Sequence, residues 1–158
     1  MTEKRYYIAY GSTLNVRQMM TRCPDAKILG TADLKGWELL FKGSKTGSYL
    51  TIEKCRGGSV PVAIWEVSER DERALDRYEG FPNFYYKKDI RIRYRGIQSG
   101  KARTVNAFAY IMHEERPVGI PTLWYMQTCL RGYDAFCFNR KALISAYHKC
   151  RELCTNEK

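Results

Sequence analysis

Two stretches of this 158-residue chain, Tyr6-Tyr7-Ile8-Ala9-Tyr10 and Thr104–Met112, are apolar or aromatic on both faces of an extended backbone. Strands of that kind must be covered on two sides, which excludes a flat sheet with one face in water. Between them, residues 27–66 carry more β-rich pieces (KILGTA, WELLFK, SYLTIE, VPVAIWEV), separated by Gly36, Gly43, Gly47 and the pair Gly57-Gly58. These read as short strands joined by turns. Residues 86–95 alternate most clearly, with Tyr86, Ile90, Ile92 and Tyr94 on one face and Lys87, Asp89, Arg91, Arg93 and Arg95 on the other. The alternation turns Tyr86 inward and the basic stripe to water, with Lys88 the exception.

Helical signals fall between and after the strands. Asn15 with Gln18 resembles a capping box, and Val16, Met19 and Met20 keep helical spacing until Pro24 forbids continuation. Ser68 with Asp71 is a second such match; the helix it opens runs from about residue 69 to 78 and is ended by Gly80 and Pro82. Two further helices are expected, one over about 122–131 that stops at Gly132 and one over about 140–153 capped by Asn139. Strands outnumber helices and arrive in runs, so the expected fold is an α+β domain: a small mixed, closed or nearly closed β-barrel flanked by a few helices. No repeat, linker or low-complexity segment divides the chain, and one domain over residues 1–158 is expected.

Lys and Arg number 27 against 17 Asp and Glu, a formal charge of +10, which favours anionic partners: small carboxylates, phosphates or nucleic acid. No stretch approaches the roughly 18 apolar residues of a membrane span, and the opening residues lack a signal-peptide pattern, so no membrane association and a cytoplasmic location are expected. The six cysteines include no Cys-x-x-Cys pair and read as reduced thiols. His148, Cys150 and Cys154 lie close together but lack a fourth metal ligand.

Three segments carry candidate chemistry. In Tyr10-Gly11-Ser12-Thr13-Leu14 a buried strand feeds a helix, so the N–H groups of Gly11, Ser12, Thr13 and Leu14 are able to converge on one anion or polarised carbonyl; an ordinary turn accounts for the same residues. Glu79 stands at a helix end, where the macrodipole disfavours a carboxylate, although a solvated glutamate is the commoner case. Tyr125 opens a late helix, where its phenol either faces a pocket or packs the core.

Taken in order, the three segments resemble the gamma-glutamylcyclotransferase-like family, which includes avirulence-induced plant proteins and gamma-glutamylamine cyclotransferases. The family shows Tyr-Gly-Ser-Asn-Leu after the first strand, Glu-Gly after a helix with a tyrosine seven positions later, and Pro-Ser-x-x-Tyr near the end. This chain has Tyr10-Gly11-Ser12-Thr13-Leu14, Glu79-Gly80 with Tyr86, and Pro121-Thr122-Leu123-Trp124-Tyr125. Thr13 and Thr122 depart from the pattern but keep a hydrogen-bonding side chain.

The resemblance implies a barrel whose cavity binds a small-molecule γ-glutamyl substrate. The α-amine of such a substrate attacks its own γ-carbonyl, closes 5-oxoproline and expels the attached amine or amino acid. Because both reacting groups belong to one molecule, the reaction draws on effective molarities of about 10⁵–10⁸ M. Glu79 is the expected acid–base residue. Tyr10, Gly11, Ser12, Thr13 and Leu14 form the expected cradle, with Tyr86 and Tyr125 as further substrate contacts. This mechanism needs no metal and no other cofactor. A non-catalytic binding protein of the same fold and a basic nucleic-acid module built on the stripe of residues 87–103 are the competing readings; no RNA-binding aromatic signature accompanies that stripe, and no nucleic acid is expected.

Overall fold

A computed structural model describes residues 4–44 and 47–155. Five strands, β1 (Arg5–Ala9), β2 (Lys27–Ser44), β3 (Gly47–Val67), β4 (Tyr85–Gly96) and β5 (Ala102–Met112), close into a barrel in the order β1-β3-β2-β4-β5. β1 runs antiparallel to β3, from Arg5↔Val67 to Ala9↔Ala63, and parallel to β5 through Tyr6↔Ala107 and Tyr7↔Phe108. The two doubly apolar stretches are therefore neighbours, each flanked by strands and covered on both faces, which is why neither alternates. Ile8, Ala9, Phe108 and Ala109 are all fully buried.

Residues 27–66 form two long strands and not several short ones. Gly36 and Gly57 have positive φ, 88° and 81°, yet both lie where the β2–β3 ladder slips from Lys35↔Ser59 to Trp37↔Lys54. The glycines absorb an irregularity inside a continuing pair, a use of left-handed backbone that sequence alone cannot tell from a turn.

Four helices flank the barrel: α1 (Val16–Arg22), α2 (Glu69–Glu79), α3 (Leu123–Ala135) and α4 (Lys141–Thr155). The start of α2 is locally encoded. Asp71 N donates to Ser68 Oγ at 3.1 Å, and Ser68 N donates to Asp71 Oδ2 at 3.2 Å. Its end is equally local, since Gly80 adopts φ 63°, ψ 37° and donates its N–H to the Arg77 carbonyl. In contrast, α3 continues past Gly132, the expected stop. A Cβ there would lie 2.6 Å from Leu14 Cβ, so this glycine lets α3 approach the β1–α1 loop and does not break the helix.

On β4 the two faces exchange burial along the strand. Tyr85 is buried near its start, while Ile92 and Tyr94, of opposite parity, are buried near its end. Lys87, assigned to water by alternation, lies under α2 and pairs with Glu72 at 2.6 Å and Asp76 at 2.8 Å. Among the described residues no helix is long and apolar enough to cross a membrane.

Candidate active site

β1 delivers the chain into a buried 3₁₀ turn, Ser12–Leu14, after which Asn15 caps α1 by accepting the Gln18 N–H on its side chain at 3.1 Å. The turn uses the Leu14 amide, which donates to the Gly11 carbonyl at 3.0 Å. Leu14 is thus not free to contribute its N–H to a cradle as the sequence suggested, although its side chain is fully buried beneath the loop. The amides of Gly11, Ser12 and Thr13 precede the first bond of the turn and are not consumed by it. Two phenols fix the loop: Tyr78 OH lies 2.9 Å from Ser12 Oγ, and Tyr7 OH lies 2.8 Å from Thr13 Oγ1. Gly11 is closely approached, since a Cβ there would meet Leu50 Cβ at 3.3 Å and the Tyr125 hydroxyl at 3.6 Å.

Glu79 closes α2 opposite this loop. It lines a narrow inner chamber with Tyr7, Tyr10, Gly11, Thr13 and Tyr110, and an outer chamber of about 390 Å³ with Tyr49, Tyr78, Gly80 and Phe84; Ser12, Tyr85 and Tyr125 are common to both. Larger hollows of about 820 and 900 Å³ lie at the surface and do not include Glu79. Among the described residues no group hydrogen-bonds the Glu79 carboxyl. Burial pushes it up to about 8, against the opposing pull of the Arg22 guanidinium. The residue keeps some accessible surface. The surrounding phenols of Tyr7, Tyr10, Tyr85 and Tyr125 are held well above the usual tyrosine range, first by burial and also by the charge of Glu79. They are neutral hydrogen-bonding groups at working pH.

The tyrosines are positioned by the backbone they hold. Tyr10 OH donates to the Tyr110 carbonyl at 2.7 Å. Tyr125 opens α3, its N–H donating to Thr122 Oγ1 at 3.1 Å, and its hydroxyl accepts the Leu50 N–H. Tyr85 OH donates to the Leu50 carbonyl at 2.8 Å. These bonds meet a free edge, because β1 pairs with β3 only over Ala63–Val67 and leaves Leu50 without a strand on that side.

Of the residues singled out from sequence, Tyr10, Gly11, Ser12, Thr13, Glu79 and Tyr125 come together around the chambers. Tyr86 does not. It sits on the opposite face of β4, and its hydroxyl donates to Glu114 Oε2. Its phenol is pushed up to about 12 by burial and by that carboxylate. The inward tyrosine is the preceding one, Tyr85. Tyr7, Tyr85 and Tyr110 escaped the sequence reading. Tyr7 and Tyr110 lie in the two doubly apolar runs, where nothing distinguishes a phenol facing a pocket from one facing the core.

The six cysteines are all unpaired. Cys150 Sγ donates to the Tyr147 carbonyl and Cys154 Sγ to that of Val118. Among the described residues no group of three or more His, Cys, Asp or Glu side chains is placed to hold a metal ion.

A solved structure described as a gamma-glutamyl cyclotransferase superposes with a TM-score of 0.74 at 23% identity, covering 94% of this chain and 87% of the other. An uncharacterized protein from Homo sapiens gives the same TM-score and coverage at 24% identity. YkqA from Bacillus subtilis also gives 0.74, at 18% identity over 94% of this chain and 55% of its own. At these identities the likeness establishes the fold. A comparison with curated protein sequences found no match. Residues 7–127, which span the loop, Glu79 and Tyr125, match the family model "Gamma-glutamyl cyclotransferase, AIG2-like", and the chain belongs to that family.

Proposed function

We propose that this protein cyclises the γ-glutamyl group of a small molecule to 5-oxoproline and releases the attached amine or amino acid. The observation that carries the reading is a glutamate carboxyl with no hydrogen-bond partner among the described residues, raised toward neutrality, facing a chamber beside loop amides that the turn does not use. A carboxyl in that state both accepts and returns a proton near neutral pH. Glu79 takes a proton from the substrate α-ammonium. The freed amine attacks the γ-carbonyl carbon, a C–N bond forms, and the carbonyl oxygen becomes an oxyanion. Amides of Gly11, Ser12 and Thr13 are the available donors for substrate oxygens, already held in place by Tyr7 and Tyr78. Glu79 then protonates the departing nitrogen as the original γ-amide bond breaks, and the second proton, shed by the ring nitrogen as the lactam forms, goes to the released amine, which leaves as an ammonium.

The test is release of 5-oxoproline from a panel of γ-glutamyl compounds bearing an amino acid, a peptide or a lysine side-chain amine. Glu79→Gln keeps the shape and removes proton transfer, so its turnover is expected to fall by about 10²–10⁴-fold. Unchanged turnover in that variant excludes the assigned role. A wild-type protein inactive on the whole panel favours a binding protein.

A further inference from the structure

Arg22 ends α1 outside both chambers, yet it is tied to them. Its guanidinium carbon lies 3.5 Å from the centroid of the Tyr78 ring, and Tyr78 in turn holds Ser12 through its hydroxyl. The arginine therefore clamps the last turn of α2, the turn that presents Glu79, against the β1–α1 loop. Its Nη1 is closed off from solvent and has no hydrogen-bond partner among the described residues. Leaving a charged donor in that condition is costly. Glu79, the next residue along from Tyr78, is a carboxyl that likewise has no hydrogen-bond partner among the described residues.

We propose that Arg22 is a positioning residue for the reaction: stacked on Tyr78, it fixes the turn that carries Glu79 and supplies the cation that favours the carboxylate each time the acid gives up its proton. The inference rests on the acid–base reading of Glu79. The other groups facing that carboxyl are Tyr7 from β1, Tyr10 from the loop, Tyr78 on its own helix, Tyr85 from β4, Tyr110 from β5 and Tyr125 from α3, while Arg77 of the same helix lines the outer chamber. The phenols are neutral at working pH. Arg22 is the charge that opposes the effect of burial on Glu79.

The experiment is a ¹³C NMR titration of the glutamate carboxyls in wild type, Arg22→Gln and Arg22→Lys, with Glu79→Gln assigning the resonance, alongside kcat and KM for 5-oxoproline release. Arg22→Gln is expected to raise the Glu79 midpoint by about one pH unit, a tenfold loss of carboxylate at neutral pH, and to lower kcat with KM within about twofold. Arg22→Lys keeps the charge without the flat stack, so its midpoint stays near wild type while kcat falls several-fold. Tyr78→Leu, which removes the stacking partner and leaves the arginine, provides the independent arm if Arg22→Gln does not fold, and is expected to raise the midpoint as well. An unmoved midpoint in folded Arg22→Gln, or in Tyr78→Leu where Arg22→Gln does not fold, overturns the inference. Absence of 5-oxoproline from wild type overturns the cyclotransferase reading instead, and the titration still decides whether Arg22 acts on Glu79.

Discussion

Tyr125 accepts the backbone N–H of Leu50 on its hydroxyl oxygen at 3.0 Å, which pins α3 to the unpaired edge of β3 at the wall of the pocket. Both groups are buried, so Tyr125→Phe leaves an amide with neither water nor protein to bond. The expected cost is about 1–3 kcal/mol, seen as a fall in Tm of roughly 2–10 °C. A thermal melt with no shift would show that the edge finds another partner.

Tyr85 and Tyr86 are adjacent on β4 yet point to opposite faces, one to Leu50 in the chamber wall and the other to Glu114. Tyr85→Phe is expected to lower 5-oxoproline release at least fivefold, because the Leu50 carbonyl loses its donor and the wall shifts. Tyr86→Phe should leave turnover within twofold of wild type. Equal losses in the two variants would contradict the placement of the faces.

Raising a carboxyl from its ordinary value of 4.5 to about 8 has a definite sign for stability. The folded state binds the Glu79 proton more tightly than the unfolded state, so folding loses stability as pH rises from about 4.5 to about 8 and no further above that. Glu79→Gln escapes this loss. The variant should match wild type at pH 4 and be more stable at pH 9, by about 1–3 kcal/mol once the partial exposure of the residue is allowed for. Denaturant melts at the two pH values read the difference. The same shift sets the rate: kcat/KM should climb with pH through about 8, where free Glu79 becomes a base. A limb centred near 4.5 would mean that the carboxyl is solvated.

Features written in a few consecutive residues were legible in the sequence. The Ser68–Asp71 box and the Gly80 stop need nothing beyond their own turn, so the helix presenting Glu79 was placed to within a residue. Features that depend on what lies across the fold were not. Gly132 reads as a helix end, but its role is set by Leu14 pressing against it. Gly36 and Gly57 look like turns until the opposite strand shows a slip in register. Tyr86 has the parity of Ile90 and Ile92, as expected; the missing information was that β4 buries one face at its start and the other at its end. Period gives the two faces of a strand, and only the neighbours decide which face is covered.

Lys87 makes the same point with a charge. It stands on the nominally solvated face of β4, yet its Nζ lies 2.6 Å from Glu72 and 2.8 Å from Asp76, beneath the helix that ends in Glu79. Asp76 also accepts the Tyr110 hydroxyl at 2.6 Å, and the ammonium is 4.5 Å from the centroid of the Phe81 ring, just beyond Glu79-Gly80. Replacing Lys87 with Met leaves two partly buried carboxylates facing each other with less cationic charge, although Arg5 still reaches Glu72 at 2.7 Å. A loss of about 2–3 kcal/mol is expected, below that of a fully buried pair because the groups keep some solvent. Glu72→Gln in the Lys87→Met background removes one of the opposed charges and should restore at least about 1 kcal/mol, whereas Glu72→Gln alone destabilises. Additive effects in this double-mutant cycle would show that the lysine contributes only its packing against Phe81. Coupling would show that the buried charges themselves hold α2 on the barrel, and with it the carboxyl at its end.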